Sequence, residues 1–192
     1  MFADELRAKL SGVVTLREGQ IASLEAHYQL LCRWNETLNL TTVTAFAAAV
    51  ERHYCESLFL GAHLPPGVLQ IADIGSGGGF PGIPVAVLRP DCTVTLIESR
   101  QRKAVFLREA ARTVPNLRGA ASRAEAIEAR FDWAISRAVS YEDLIPALKK
   151  LAPRADLLSG AEEPTKALGF NWEPGVRLPW GDRRYLRTGT RL

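Results

Sequence analysis

The chain has little that would tie it to a membrane, a metal or an oxidising compartment. No apolar run approaches the roughly 20 residues needed to cross a bilayer. The opening residues, MFADELRAKL, carry acids and no apolar centre, so they do not read as a signal peptide, and a cytoplasmic protein is expected. The 3 cysteines, Cys32, Cys55 and Cys92, lie far apart without a CxxC pair, a poor framework for disulfides or zinc. His27, His53 and His63 also lack metal-ligand spacing, so no metal is expected. Neither an internal repeat nor a low-complexity linker interrupts the chain. What remains is an ordinary globular composition: 192 residues, 47% apolar and 23% charged, long enough for one well-buried domain.

The net charge, +3, is too small by itself to argue for nucleic acid. Its distribution says more. Residues 170–192 hold Arg177, Arg183, Arg184, Arg187 and Arg191 against Glu173 and Asp182. A local basic patch of this kind can bind phosphates even in a nearly neutral protein, and a solvated arginine-rich edge fits equally well.

Hydrophobic periodicity divides the chain in two. The first third reads helical. Thr15 and Glu18 have capping-box spacing, and Ile21, Leu24, Tyr28 and Leu31 then form one apolar face. WNETLNLT (34–41) breaks that pattern, and a second helix is expected from about Thr44 to the Pro65-Pro66-Gly67 punctuation. Beyond Gly67 short apolar runs alternate with helical segments. Strands are expected in VLQIADIG, CTVTLIE, LRGAAS, FDWAISRA and ADLLSG, and helices in PGIPVAVL, RQRKAVFLREAARTV and YEDLIPALKKL. Such alternation implies a doubly wound, mostly parallel α/β sheet covered on both faces. The expected organisation is one domain: a helical N-terminal extension over 1–64 and an α/β core over 65–192.

In such sheets ligands bind at the carboxyl ends of the strands. The first strand here ends in IADIGSGGGFPGIP (71–84), which contains five of the 15 glycines. Gly77, Gly79 and Gly82 match GxGxxG, weak support for a dinucleotide. The register disagrees with it. The turn begins at Gly75, and Phe80, Pro81 and Pro84 fill the helix start where a pyrophosphate would need free amides. An acid at the strand end, Asp73, followed by glycines at alternate positions, Gly75, Gly77 and Gly79, resembles motif I of S-adenosylmethionine-dependent methyltransferases. Glu98, at the end of the second strand, is placed to accept both hydroxyls of a ribose. An NAD enzyme would place an acid similarly, so Glu98 supports a nucleoside without choosing between cofactors. SRAE (122–125) follows the third strand, where an adenine edge would come to rest, and ISRA (135–138) ends the fourth with Arg137 beside the crevice.

Taken in order, WNETLNLT, RHYCESL, DIGSGGGFPGIP, TLIES, SRAE and FDWAISRA resemble the RsmG (GidB) family of 16S rRNA guanine-N(7) methyltransferases over roughly Leu30 to Leu151. The resemblance implies a class I methyltransferase fold, S-adenosylmethionine as cofactor, and methyl transfer to a guanine of 16S rRNA, position 527 in conventional rRNA numbering. It implies a monomer acting on the small ribosomal subunit. It implies that Gly75, Gly77 and Phe80 meet the cofactor at the first turn, Glu98 its ribose, Ala124 and Glu125 its adenine end, and that Arg137 sits between cofactor and guanine. Arg123, Asn35, Asn39 and His53 become candidates for RNA contact, and the arginine-rich tail a grip on phosphates. No catalytic base is expected, because guanine N7 already carries a lone pair. Two features depart from the family pattern: Glu56 where aspartate is usual, and Ser159 where a lysine commonly precedes Gly160. A Rossmann-type NAD enzyme and a non-catalytic relative that binds the cofactor are the competing readings.

Overall fold

A computed structural model describes residues 1–160 and 169–192. Helix α1 (Phe2–Leu10) buries Phe2, Leu6 and Leu10 on one face. Helix α2 (Glu18–Leu38) buries Ile21, Leu24, Leu30 and Leu31, the apolar stripe seen in the sequence. Its start differs from the expected capping box. Gln20 Oε1 accepts the Arg17 amide at 2.9 Å, so half of a capping box forms two residues later than Thr15–Glu18, and Arg17 has no side-chain acceptor to complete it. The helix ends at Asn39, which takes a left-handed conformation (φ 47°). Asn35 then folds back. Its side-chain amide donates to the Thr41 carbonyl at 3.0 Å and its oxygen accepts the Thr41 amide at 2.8 Å. Asn35, expected to meet RNA, is spent on closing this loop.

A second helical run combines α3 (Phe46–Ala49), a widened π-helical turn over Val50–Cys55, and α4 (Glu56–His63). Such turns interrupt the usual ladder and recur at functional sites; this one carries Arg52 and His53.

The sheet follows. Strands β1 (Gln70–Ile74), β2 (Thr93–Ile97), β3 (Leu117–Ala120), β4 (Trp133–Arg137) and β5 (Arg154–Ser159) are parallel, with helices α5 (Gly82–Leu88), α6 (Gln101–Ala110) and α7 (Tyr141–Leu151) between them. Pro81 lies just before α5 rather than in its first turn. Three strands have no counterpart in the sequence reading: β6 (Phe170–Trp172), β7 (Val176–Arg177) and β8 (Tyr185–Arg191). The order is β3-β2-β1-β4-β5-β8-β6, with β7 on β8 and β8 antiparallel to β5. This is the doubly wound, mostly parallel arrangement the alternation predicts. Its register matters most for function. Ile74 lies beside Ile97 and Ser136, and Ile97 beside Ala120, so four strands end level.

One face of the sheet packs against α2, α4, α5 and α6 in a cluster that includes Leu58, Phe80, Val94, Phe106 and Ile135. The other face meets α7 through Ala72, Ala134, Leu144, Leu148 and Leu157. Each fully buried Leu or Phe contributes about 1.5–3 kcal/mol. The helical extension shares the first cluster: the Phe2 ring lies 5.2 Å from Tyr28 and 5.0 Å from Tyr54.

The tail arginines divide: Arg184 and Arg187 are used within the fold, while Arg177, Arg183 and Arg191 stay exposed. Arg177 pairs with Asp182 at 3.0 Å, Arg184 with Glu56 at 2.6 Å, and Arg191 donates to the Lys149 carbonyl at 2.7 Å. Arg187 is buried and donates to Ser159 Oγ at 3.1 Å.

Candidate functional site

The level strand ends put Asp73, Gly75, Glu98 and Arg137 along one edge of the sheet. The glycine turn between β1 and α5 is built in two parts, and the glycines do different work. A Cβ on Gly82 would lie 2.5 Å from Asp73 Oδ2 and 2.5 Å from Leu96, and one on Gly79 would collide with Ile83. These two are small so that α5 can lie against the sheet. Gly77 has a positive φ of 54°, and a Cβ there would meet only the Gly75 carbonyl, at 3.8 Å. The space above Gly77 is open. The glycine-rich stretch is thus mainly a packing device, with a short open lip at its centre.

Glu98 holds that lip. Its Oε2 accepts the Gly77 amide at 3.0 Å and its Oε1 accepts the Arg100 amide at 2.8 Å. Each carboxylate oxygen keeps a further lone pair for a ligand hydroxyl. Asp73 is fully buried behind the turn. Its Oδ2 accepts the Gly82 amide at 3.0 Å, while Oδ1 has no hydrogen-bond partner. Burial raises its pKa to about 7, against the pull of the Gly82 amide and the Arg137 charge. A buried carboxylate in this condition gains from a cation nearby.

Phe80 does not face the open lip. Its ring is buried, stacked on His53 at 4.6 Å and edge-on to His27 and Tyr54 at 5.2 Å. It supports the turn from beneath. His27 ties the same turn to α2: its ring accepts the Tyr54 hydroxyl proton at Nδ1 (3.0 Å) and donates from Nε2 to the Gly78 carbonyl (3.1 Å). A carbonyl only accepts, which fixes the tautomer. Burial lowers the His27 pKa to about 4, so the ring is neutral.

Ala124 and Glu125 follow β3 in a short 3-10 turn (Ala124–Ala126). Ala124 is buried in the α7-side cluster, and Glu125 is exposed. Arg137 lies across β1 from Glu98. Its Nη1 donates to the Arg52 carbonyl at 2.5 Å and its guanidinium stands 5.2 Å from the Phe80 ring centre. Burial lowers its pKa to about 10, with Glu56 opposing.

Arg137 also borders a separate cleft of about 1130 Å³ over the ends of β4 and β5, which the other expected cofactor residues do not line. Arg52, His53, Asn39, Glu142, Ser159 and Arg184 face it. Ala138, the residue after β4, bends the chain around this cleft with a φ of 59°, rare for alanine. His53 Nε2 meets Thr41 Oγ1 at 2.8 Å, and burial with the charges of Arg137, His27, Arg52 and Arg184 lowers its pKa to about 3. Arg184 reaches the cleft from β7–β8 by a two-pronged pair with Glu56, at 2.9 and 2.6 Å. Its sequence separation from Glu56, 128 residues, gave no local signal for this pairing. Among the described residues no group of three or more His, Cys, Asp or Glu is placed to hold a metal, and no helix is long and apolar enough to cross a membrane.

The profile of one family, rRNA small subunit methyltransferase G (GidB), matches residues 20–157. The chain belongs to this family. A member from Chromobacterium violaceum, "Ribosomal RNA small subunit methyltransferase G", is 41% identical over 65% of this chain and 61% of its own length. One from Xanthomonas oryzae with the same name is 48% identical over 56% of this chain and 50% of its own. The chain thus spans about half to three-fifths of the curated relatives it matches. Among solved structures, a SAM-dependent methyltransferase from Aquifex aeolicus superposes with a TM-score of 0.59 at 15% identity, over 76% of this chain and 93% of that one. The 23S rRNA methyltransferase ErmE gives 0.56 at 17%, over 73% and 69%. These neighbours share the class I methyltransferase fold, and with it the expected fold class holds.

Proposed function

We propose that the protein transfers a methyl group from S-adenosylmethionine to N7 of a guanine in 16S rRNA, position 527 in conventional rRNA numbering, acting as a cytoplasmic monomer on the small ribosomal subunit. Membership of the small subunit methyltransferase G family supports the substrate. The observation that carries the cofactor is Glu98 fastened to the Gly77 amide at an open glycine lip, with Asp73 buried behind that turn and one of its oxygens unpartnered. The first suits ribose hydroxyls. The second suits a cationic ligand, which S-adenosylmethionine is at both its ammonium and its sulfonium. Nothing along the lip is arranged for a pyrophosphate.

The chain's own residues then have these roles. Gly77 lets the ligand lie against the backbone, the exposed Gly75 makes room for Val139 at the start of the turn, and Glu98 fixes the ribose. Ala124 and Glu125 border the adenine end. Phe80 acts indirectly, by holding the turn and the Arg137 guanidinium in place. Bound S-adenosylmethionine supplies an electrophilic methyl group. Guanine N7 needs no deprotonation, so the protein's task is to align nitrogen, methyl and sulfur and to exclude water, which is worth several kcal/mol of barrier. The cleft over β4 and β5 receives the guanine, with Arg137 between it and the cofactor as a positioning residue. A cation stacked against a purine that is itself becoming cationic would not assist transfer. Its hydrogen bond to the Arg52 carbonyl keeps it to the side.

The test is methyl transfer from labelled S-adenosylmethionine to small ribosomal subunits lacking the mark, with the modified base located by primer extension after cleavage at 7-methylguanine. Absence of transfer to subunits and to naked 16S rRNA, with cofactor bound, would leave only a binding protein.

A further inference from the structure

The region of the molecule with the least neutralised positive charge is not the tail. It is the outer face formed by α6 and β3. Between Ser99 and Ala124 the chain carries Arg100, Arg102, Arg108, Arg112, Arg118 and Arg123, all exposed, and a half-buried Lys103; the only acid among them is Glu109. Elsewhere many cations are matched, Arg7 with Asp4 and Glu18, Lys9 with Glu5 and Glu51, Arg89 with Asp91, Lys150 with Glu128, and Arg184 with Glu56, and the exposed arginines without an ion pair, such as Arg17, Arg33, Arg130 and Arg154, lie apart in the sequence. None of the six arginines joins an ion pair among the described residues. Arg118 donates only to the Pro115 and Leu117 carbonyls.

Three of the six, Arg102, Arg108 and Arg112, form one surface along the helix. Arg108 and Arg112 share an outward stripe of the helical segment with Val105, which is 41% exposed, and Arg102 borders that stripe. β3 is the outermost strand and pairs only with β2, so nothing of the sheet lies beyond it. The Arg108 side chain rests over β3, where a Cβ on Gly119 would be 3.8 Å from its Cγ. Leu117 and Gly119 face the helix, so Arg118 between them projects from the other face of the strand, and the helix stripe runs to the edge of β3. The ten steps from Arg102 to Arg112 span about 15 Å at the rise of a helix. At its upper end the surface reaches the site, because the Arg100 amide is held by Glu98.

We infer that the face of α6 and β3 docks the sugar–phosphate backbone of RNA, beside the strand ends where the cofactor and target base meet. The inference rests on the rRNA substrate proposed above. Exposed arginines without partners favour phosphates because the planar guanidinium offers several donors in a fork, and each phosphate contact releases a counterion. This face is assigned the phosphate grip, and selection of the base belongs to the cleft.

The test is a charge-reversed variant, Arg102→Glu/Arg108→Glu/Arg112→Glu, compared with Arg17→Glu/Arg130→Glu/Arg154→Glu, which reverses three exposed arginines elsewhere. Binding to small ribosomal subunits and to naked 16S rRNA is followed by filter retention across a salt series, with S-adenosylmethionine affinity measured alongside. The first variant is expected to bind RNA at least ~10-fold more weakly at about 0.1 M salt, with a log–log salt slope shallower by about 2 to 3. Its cofactor affinity should be unchanged, which also reports correct folding. The second variant should bind RNA nearly as the parent does. Should the first variant not fold, Arg102→Gln/Arg108→Gln/Arg112→Gln replaces it, with a smaller loss of the same kind. Parent-like RNA binding by the first variant, or an equal loss in both, overturns the inference while leaving the methyltransferase reading intact. Loss of binding to anionic lipid vesicles with RNA binding unchanged assigns the face to a membrane and also overturns it. A parent protein that binds neither subunits nor rRNA overturns the functional reading and the docking face with it.

Discussion

Gly82 lies against Asp73 so closely that no side chain fits between them. Its amide donates to Asp73 Oδ2 at 3.0 Å, and a Cβ would fall 2.5 Å from that oxygen and 2.9 Å from the Asp73 Cβ. Helix α5 must sit at this distance for its first turn to satisfy a buried carboxylate. Gly82→Ala is therefore expected to destabilise the protein by about 2–3 kcal/mol through overpacking. Urea denaturation checks this. A change below about 0.5 kcal/mol would mean that α5 moves freely relative to the sheet.

Gly77 predicts the opposite division. It borders open space, and its cost to a side chain is the left-handed backbone, about 1–2 kcal/mol. Gly77→Val should leave a folded protein, moderately less stable, that no longer binds S-adenosylmethionine in calorimetry. Unchanged binding would mean that the ligand does not pass over this lip.

The contrast between these two glycines marks how far the sequence could be read. The alternation of strands and helices from Leu69 to Ser159 is visible because each strand is a short apolar run bounded by turn residues, and the acid-and-glycine frame shows where β1 ends. Which glycine packs and which opens is decided by distances to Ile83, Leu96 and Asp73, and these depend on how α5 crosses the sheet. Phe80 falls in the same group. Its place in the motif points to the ligand, and its environment of His27, His53 and Tyr54 turns the ring inward. The antiparallel β6–β8 were missed because Arg187 and Thr188 interrupt an apolar pattern that is completed only by pairing with β5. The basic α6–β3 face was hidden because the charge count does not distinguish paired from unpaired arginines.

Asp73 should make stability fall as pH rises. Its folded pKa, about 7, lies above the ordinary carboxyl value of 3.8. Between those values the folded state holds a proton that the unfolded chain has lost, so the stabilisation is present at low pH and disappears as pH passes 7. Asp73→Asn removes this ionisation and can still accept the Gly82 amide. It is expected to be more stable than the parent at pH 8 and to bind S-adenosylmethionine more weakly. Thermal melts and calorimetry at pH 8 read the two effects. A variant that is both less stable and unimpaired in binding would contradict the assignment of Asp73 to the ligand's cationic end.

Glu56 and Arg184 join the chain's end to the helix that carries Arg52. Glu56 is 1% exposed and meets Arg184 through both oxygens. Glu56→Gln strands a guanidinium beside Arg137 and Arg52, whose charges repel it. The expected cost is about 3 kcal/mol, as for other buried pairs broken on one side. Arg184→Met with Glu56→Leu should recover much of that stability, because both charges then leave together. Failure of the double variant to recover would show that the pair does more than neutralise itself.

His27 gives the last test, and its sign is opposite to that of Asp73. The folded pKa of about 4 lies below the ordinary 6.5, because the ring is buried and neutral. Its contribution is complete above pH 6.5 and is lost as pH falls through 4, since the unfolded chain takes up the proton first. Its two ring nitrogens also bridge Tyr54 in the π-helical turn to Gly78 in the glycine turn, so the loss loosens the ligand lip along with the fold. His27→Gln cannot titrate. It should cost about 1–2 kcal/mol at pH 8 through a bridge made at one end only. The difference between parent and variant should then shrink steadily between pH 6.5 and 4. A difference independent of pH would mean that His27 is solvated in the folded protein, and that the aromatic cluster beneath Phe80 does not hold the turn.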